Sequence, residues 1–172
     1  VIEELRVKAG FYDPWYVQYY NWIANAAQGD FGQSYTFKKP VADIIGDRAM
    51  NTLLLALVSV ILVYLIAIPL GVLAGRYTDT VIDKMIVLYS FISFAIPAFV
   101  LYLIFLYVFG YRLMWFPTSG TVDVGLDSGT WEYYWNKFYH LILPAVSYAI
   151  LGTTGIIQYL RSEIIDAKMM DY

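Results

Sequence analysis

The stretch NTLLLALVSVILVYLIAIPLGVLAG, residues 51–75, contains no charged side chain. A helix of about 20 apolar residues is long enough to cross a hydrocarbon core roughly 30 Å thick. Two further stretches have the same property: residues 85–111 are uncharged, and in residues 138–160 the only ionisable group besides tyrosine is one neutral histidine. The pattern predicts three transmembrane helices, near residues 51–74, 86–109 and 141–160.

The composition of the 172-residue chain agrees with this prediction, because 60% of its residues are hydrophobic and only 15% are charged. Soluble domains carry about 25% charged residues. The alternative is a set of buried helices in a large soluble protein, for which three uncharged runs of this length would be unusual. We therefore predict an all-α integral membrane protein.

The residue counts also exclude several function classes. The formal net charge of −3 provides no basic footprint for nucleic acid. The absence of cysteine excludes disulfides, thiolate metal sites and a cysteine nucleophile. A single histidine, His140, excludes a metal cluster built from histidines of this chain. We expect neither a metal site nor a cofactor.

The basic residues predict the orientation of the spans, since Lys and Arg are enriched in cytoplasmic loops. The loop 76–84 and the segment 161–172 each carry two basic residues, and the much longer loop 111–140 also carries only two. We expect the first two segments to be cytoplasmic. The predicted organisation is an external region 1–48, a transmembrane region 49–160 with the external loop 111–140, and the start of a cytoplasmic coupling segment, 161–172.

The external N-terminal region contains two candidate amphipathic helices. The first follows Asp13 as N-cap and Pro14 as first helical residue, and Gly29 ends it. Its aromatic stripe fits either the membrane–water interface or packing within the external region. The second starts at Pro40, and we expect it to run along the interface before turning into the first span. The stripe consists of Trp15, Tyr19, Trp22, Ile23 and Ala26.

The stretch GDFGQS between these helices predicts a turn. Asp30 can accept a hydrogen bond from the nearby backbone, and Gly32 permits a positive φ angle. We expect Phe31 to bury its ring between the two helices. The stretch lacks the lysine and the spacing of a phosphate-binding Walker A loop.

Each predicted span contains a proline, which removes a hydrogen-bond donor and is expected to kink the helix. The three are Pro69, Pro97 and Pro144. The spans contain no charged residue that could act as a proton relay or coordinate a coupling ion. An external energy source is therefore expected for any active transport.

A hydrolytic alternative pairs Ser119 with His140. No glycine-rich turn surrounds Ser119, and no acidic residue is obviously positioned to orient His140. An interfacial position of His140 at the start of the third span explains this residue better. We therefore expect no catalytic residues.

Several segments in fixed order resemble the permease subunits of the oligopeptide/dipeptide/nickel group of bacterial ABC transporters. They are GDFGQS (29–34), PVADIIGDRAMNTLLLAL (40–57), IPLGVLAGRYTDTVIDK (68–84), FAIPAFVLYLIFLYVFG (94–110), FPTSG (116–120), HLILPAVSYAI (140–150) and YLRSEIIDAKMMDY (159–172). The family signature at 29–34 comprises Gly29, Asp30, Phe31, Gly32, Gln33 and Ser34.

The resemblance implies three helices of a six-helix permease in the bacterial cytoplasmic membrane. The first helix, the coupling loop and the last two helices would then lie outside this stretch of sequence. Such permeases import peptides by alternating access, and separate subunits hydrolyse ATP. The implied partners are a second homologous permease, two ATP-binding subunits, an extracytoplasmic solute-binding protein and membrane lipid.

Two sets of residues are candidates for function within this framework. Polar side chains beside the helix breaks are predicted to line the substrate pathway, although hydrogen bonding between helices would explain them equally well. This set is Tyr89, Ser90, Ser93, Tyr148 and Thr153. For coupling to the ATPase we predict Arg161, Glu163 and Tyr172, with an interfacial anchor as the alternative role of Arg161.

The leading hypothesis is thus a peptide importer permease, with nickel or another small solute as a variant. A passive channel or facilitator is the main alternative. The sequence does not distinguish a dipeptide, a longer peptide and a metal chelate as cargo.

Overall fold

The computed structural model describes residues 12–170, and every regular element within that range is helical. The chain divides into two compact units, residues 1–52 and residues 53–172. The helices are α1 (Trp15–Ala27), α2 (Val41–Arg76), α3 (Val81–Ala95), α4 (Ala98–Phe105), a π-helical segment (Leu106–Arg112) and α5 (Trp131–Met169).

The first helix, α1, starts one residue later than predicted. Pro14 is its N-cap and makes no side-chain capping bond, so the prediction of Asp13 as N-cap is wrong. Pro14 has an extended ψ of 145°, and the Gln18 side chain donates to the Asp13 carbonyl instead. The predicted end is confirmed, because Gly29 follows the C-cap with a φ of 88°. No residue of α1 is buried, and its aromatic face is available to lipid or to a partner.

The GDFGQS turn has the predicted backbone. The Asp30 carboxylate accepts a hydrogen bond from the Gly32 N–H at 2.9 Å, and Gly32 has a φ of 78°. The Gly32 carbonyl accepts from the Val41 N–H at 2.9 Å, which connects the turn to the start of α2. The prediction that Phe31 buries its ring is wrong, because that side chain is 40% exposed.

Helix α2 is uninterrupted over 36 residues, so the predicted turn between an interfacial helix and the first span does not occur. No proline or strong stop signal separates Pro40 from Pro69. At about 1.5 Å per residue the helix is roughly 54 Å long, well beyond the hydrocarbon thickness. Pro69 lies inside it without ending it.

The second predicted span, 86–109, is not a single helix. It is broken between α3 and α4, and the pair formed by Val81–Ala95 and Ala98–Arg112 is bent by 99°. The cause lies at Ile96 and Pro97: Pro97 lacks an N–H, and the residue before a proline avoids the helical region. Ile96 accordingly has a ψ of 121°.

Helix α5 is longer at both ends than the predicted span 141–160. The Thr130 hydroxyl caps its first turn by accepting from the Tyr133 N–H at 3.2 Å, so the final ten residues of the predicted loop 111–140 are helical. The helix continues to Met169, which makes most of the predicted segment 161–172 helical too. Pro144 lies inside α5 and does not end it.

By length and composition, α2 and α5 can each cross a membrane, and the bent pair could supply a third span. The chain is therefore an all-α integral membrane protein. One cluster of buried hydrophobic residues consists of small or branched side chains, Ala67, Ala74, Ile86 and Ile157.

Candidate functional site

Helices α2 and α5 approach each other closely at two glycines of α2. A Cβ atom on Gly71 would lie 2.8 Å from the Leu160 Cβ, and one on Gly75 would lie 2.7 Å from the Ile164 Cβ. Distances this short leave no room for a methyl group. Small residues of this kind allow helix backbones to pack closely within a membrane.

An ion pair connects α3 to α5 just beyond this contact. Arg161 donates from Nε to Asp83 Oδ1 at 2.6 Å and from Nη2 to Oδ2 at 2.8 Å. This is a bidentate arrangement, in which the planar guanidinium matches both carboxylate oxygens. The Asp83 side chain is only 3% exposed, whereas that of Arg161 is 25% exposed.

The loop before α3 holds Asp83 in place. Thr80 is the N-cap of α3, and its hydroxyl is 3.5 Å from the Asp83 N–H. Asp83 Oδ2 also accepts from the Asp79 N–H at 2.9 Å, and Asp79 has a φ of 65°. Thr80 thus caps the first turn of α3, while the Asp83 carboxylate reaches back to the backbone of Asp79, the residue before the N-cap.

Asp83 and Arg161 lie outside the predicted spans, and each favours the charged form of the other. The Arg161 hydrogen bond holds the pKa of Asp83 below its ordinary value of 3.8, although burial alone would raise it. The same bond raises the pKa of Arg161. A carboxyl pKa lowered by folding adds stability above the unfolded pKa, and that stability is lost as the pH falls through the folded value. The pair is therefore intact near neutral pH.

A second side chain of α5 closes the carboxyl end of α2. Lys168 Nζ donates to the Gly75 carbonyl at 2.8 Å and to the Arg76 carbonyl at 2.6 Å. The last carbonyls of a helix have no partner within the helix, and a cation there also interacts favourably with the helix dipole. We refer to Gly75, Arg76, Asp83, Arg161 and Lys168 as the three-helix junction.

The predicted coupling residues have different surroundings. Arg161 belongs to the three-helix junction, where it forms a buried ion pair with Asp83. The alternative role, an anchor at the membrane interface, did not include this ion pair. Glu163 is exposed on α5. Tyr172 lies outside the described residues.

Two of the predicted pathway residues contact each other across α3 and α5. The Tyr89 hydroxyl donates to the Ile150 carbonyl and lies 2.8 Å from the Thr153 hydroxyl. Thr153 is fully buried and donates to the same carbonyl at 3.0 Å. This contact lies about two helical turns from Asp83, so α3 and α5 are joined by polar contacts at two levels.

The other three predicted pathway residues do not join this contact. Ser90 is buried and donates to the Ile86 carbonyl at 3.1 Å, and Ser93 is buried as well. Tyr148 is 52% exposed on α5. A further buried hydroxyl, that of Thr154, has no hydrogen-bond partner within residues 12–170.

The loop between the π-helical segment and α5 contains a small polar cluster that corrects one expectation. Asp123 does lie beside His140, with 3.6 Å between its Oδ1 and the imidazole Nε2. Asn136 binds Asp123 through two hydrogen bonds of 2.7 and 2.9 Å, and the His140 Nδ1 contacts the Asn136 carbonyl at 3.0 Å. No hydrogen bond joins Ser119 to this cluster in the described part of the chain. Within the described residues, Ser119 and His140 therefore do not form the hydrogen-bonded pair of a serine nucleophile and its base.

The described residues also show no group of three or more His, Asp or Glu side chains that could hold a metal ion.

The sequence interpretation missed Asp83, Lys168 and the two packing glycines. The glycines have a recognisable signal, because GVLAG at 71–75 is a G-x-x-x-G motif in an apolar helix. Thr80 could be predicted as a helix N-cap, with Asp83 as an acidic residue in the first turn. No local pattern pairs Asp83 with Arg161, since 78 positions separate them.

Comparison with known proteins shows a match to one protein family. Residues 67–172 match the family described as "Binding-protein-dependent transport system inner membrane component". The chain is 42% identical over 171 residues to the oligopeptide transport system permease protein AppB of Bacillus subtilis (strain 168), which covers 99% of the chain and 53% of that protein.

A second relative is named for a different cargo. The chain is 31% identical over 172 residues to the glutathione transport system permease protein GsiC of Escherichia coli (strain K12), covering 100% of the chain and 52% of that protein. The chain thus spans about half the length of the curated relatives it matches.

Proposed function

Because the chain belongs to the family of binding-protein-dependent transport system inner membrane components, we propose that it is part of the permease subunit of an ATP-driven importer. The complete subunit would move its substrate across the bacterial cytoplasmic membrane by alternating access. The family description and the long apolar helices agree on a multi-pass inner-membrane protein.

Peptides are the cargo that we propose. The relative with 42% identity is named for oligopeptide transport, and the relative with 31% identity is named for glutathione transport. A pathway suited to peptide groups needs uncharged polar side chains, and the predicted pathway residues are of this kind. Nickel or another small solute is the alternative cargo.

The energy would come from ATP hydrolysis on separate subunits, so the chain itself is not an enzyme. The apolar stretches 51–75 and 85–111 contain no charged side chain. Ion-coupled carriers need ionisable groups within the membrane to bind or relay the coupling ion. Mechanical coupling to an ATPase has no such requirement.

The observation that carries this proposal is the three-helix junction. Two basic side chains, those of Arg161 and Lys168, connect α5 to Asp83 of α3 and to the last carbonyls of α2, at Gly75 and Arg76. Basic residues favour the cytoplasmic side, which is the side of ATP-hydrolysing subunits. A displacement applied to the end of α5 would therefore reach α2 and α3 directly.

The family description supports the partners that we propose. We propose a second homologous permease, two ATP-binding subunits on the cytoplasmic side and a solute-binding protein on the outer side. We propose that region 1–48 and region 111–140 each contact the binding protein. The substrate pathway would lie against the second permease, and the exposed Tyr148 is the predicted pathway residue best suited to face it.

The proposal is tested with the full-length permease, reconstituted in lipid vesicles with the permease, ATPase and binding-protein subunits encoded beside it. We expect uptake of labelled di- and oligopeptides only when ATP and the binding protein are both present. Equal uptake without ATP would establish the passive channel instead. Uptake of labelled nickel but not of peptides would reassign the cargo.

The hydrolytic alternative is tested in the same vesicles with the variant Ser119→Ala. We expect peptide uptake to be unchanged. Intact peptide recovered from the vesicle interior argues against cleavage, whereas fragments formed only by the wild-type protein would support it.

A further inference from the structure

We propose that Asp83 is a positioning residue for coupling. Its ion pair with Arg161 holds the end of α5 in one register against α3. This inference rests on the proposed function, since coupling requires an ATPase. It assigns to Asp83 a role in transmitting movement, separate from substrate binding and from ATP hydrolysis.

The geometry of the Asp83–Arg161 pair fixes the orientation of the Arg161 side chain as well as its distance from Asp83. Both carboxylate oxygens of Asp83 bind Arg161, at 2.6 and 2.8 Å, and one of them also accepts from the Asp79 backbone. A guanidinium carries its donors in a rigid plane, so two simultaneous bonds define the rotation of the side chain. Lysine would supply charge at this position without that directional constraint.

The end of α5 is held from a second side. Lys168, about two turns beyond Arg161, binds the last carbonyls of α2 at Gly75 and Arg76. The segment 161–168 therefore cannot rotate about the axis of α5 without breaking a contact to α3 or to α2. Ile164, within this segment, packs closely against α2 at Gly75.

Burial makes the pair suitable for this role. The Asp83 side chain is 3% exposed, so water cannot readily replace Arg161 as its partner. Breaking one side of a buried pair leaves an uncompensated charge, whereas removing both charges is far less disruptive. A single substitution of Asp83 therefore affects both stability and positioning, whereas a double substitution of Asp83 and Arg161 mainly affects positioning.

The first experiment measures coupling in the reconstituted full-length complex. For Asp83→Asn we expect the peptide taken up per ATP hydrolysed to fall about tenfold, within the range reported for residues that modulate coupling between sites. The peptide concentration that gives half-maximal uptake should not change. The control Asp79→Asn removes the same charge from an exposed side chain in the loop before α3, and asparagine tolerates the positive φ of this position, so the ratio should not change.

A double variant, Asp83→Asn with Arg161→Gln, separates positioning from folding. It contains no unpaired buried charge, so we expect assembly and thermal stability to recover while the uptake per ATP remains low. Recovery of this ratio together with stability would show that Asp83 only neutralises Arg161, and would overturn the proposal. The double variant also provides the test if Asp83→Asn alone fails to assemble.

A second measurement is independent of transport. This stretch of the protein contains no cysteine, so spin labels can be attached at Lys84→Cys and Ser162→Cys, in a full-length protein without other cysteines. Both positions are exposed and adjoin the ion pair. We expect one narrow distance distribution in the otherwise wild-type complex and a broad one after Asp83→Asn.

The two measurements distinguish failures of the two proposals. An unchanged narrow distribution in Asp83→Asn would overturn the positioning role, whatever the protein transports. A wild-type complex that takes up no peptide with ATP would overturn the proposed function, while the spin-label distances would still decide the role of Asp83.

Discussion

The ammonium group of Lys168 lies 2.8 Å from the carbonyl oxygen of Gly75, so a side chain of α5 closes the carboxyl end of α2. Gly75 is also a point of tight packing between the two helices, because a Cβ there would meet the Ile164 Cβ at 2.7 Å. One end of α2 is therefore fixed by packing and by a charge-assisted hydrogen bond at the same residue. Each contact can be removed separately.

Replacing Lys168 with methionine should destabilise the permease and keep most of the aliphatic side chain. A cation that caps a helix carboxyl end contributes up to about 2 kcal/mol in partly buried geometry. We expect a lower apparent melting temperature of the purified full-length protein. Lys84→Met removes the same charge from an exposed site and should have little effect. Equal losses in the two variants would show that the cap at Gly75 does not contribute.

Replacing Gly75 with alanine should force α2 and α5 apart. Overpacking a well-packed contact costs about 1–3 kcal/mol, and the nearest atom is the Ile164 Cβ, which cannot rotate away. Gly155→Ala is the matched control on α5, since nothing lies within 4 Å of its added Cβ. Melting temperatures of both variants provide the comparison, and a stable Gly75→Ala protein would contradict the observed approach.

Hydropathy was sufficient to find the apolar stretches, because charge is excluded from hydrocarbon whatever the tertiary structure. It could not find the ends of α2 and α5, because a helix continues beyond the membrane until a stop signal ends it. The three prolines show a second limit. Only Pro97 breaks a helix, whereas Pro69 and Pro144 lie within continuous ones.

The three-helix junction could not be predicted from the sequence for a different reason. Arg161 could be selected as functional from its position after a span, but its partner Asp83 is defined only when α3 and α5 pack. The helix dipole explains why an acidic residue suits the first turn of α3. It does not indicate that the same carboxylate also binds α5. Pairing of this kind is a property of the tertiary structure.

Replacing Tyr89 with phenylalanine should weaken the contact between α3 and α5 without changing their packing. The lost hydroxyl donates to the Ile150 carbonyl and lies 2.8 Å from the Thr153 hydroxyl. Hydrogen bonds between membrane helices contribute about 0.6 kcal/mol on average and up to about 1.7 kcal/mol. Tyr159→Phe is the control, because that ring is 64% exposed. A melting temperature for Tyr89→Phe equal to that of the control would mean that the contact adds no stability.

A lower rate of peptide uptake by the Tyr89→Phe variant is interpreted together with the melting temperature of that variant. If uptake falls while the melting temperature is unchanged, the hydroxyl acts in the substrate pathway, as predicted for Tyr89. If both fall together, the residue supports helix packing, which is the alternative. The same comparison applies to Thr153→Val.

The turn before α2 allows a test of backbone conformation alone. Gly32 has a φ of 78° and Gly46 lies within α2, and nothing lies within 4 Å of a Cβ added at either position. Alanine at Gly32 should therefore cost roughly 1–2 kcal/mol, the penalty for an L-residue in the left-handed region. Alanine at Gly46 should stabilise the helix by about 0.8–1.0 kcal/mol. Hydrogen exchange at the Val41 N–H, which binds the Gly32 carbonyl, should become faster in Gly32→Ala and should not become faster in Gly46→Ala. Equal exchange rates in the two variants would contradict the positive φ at Gly32, because the two sites differ in conformation and not in available space.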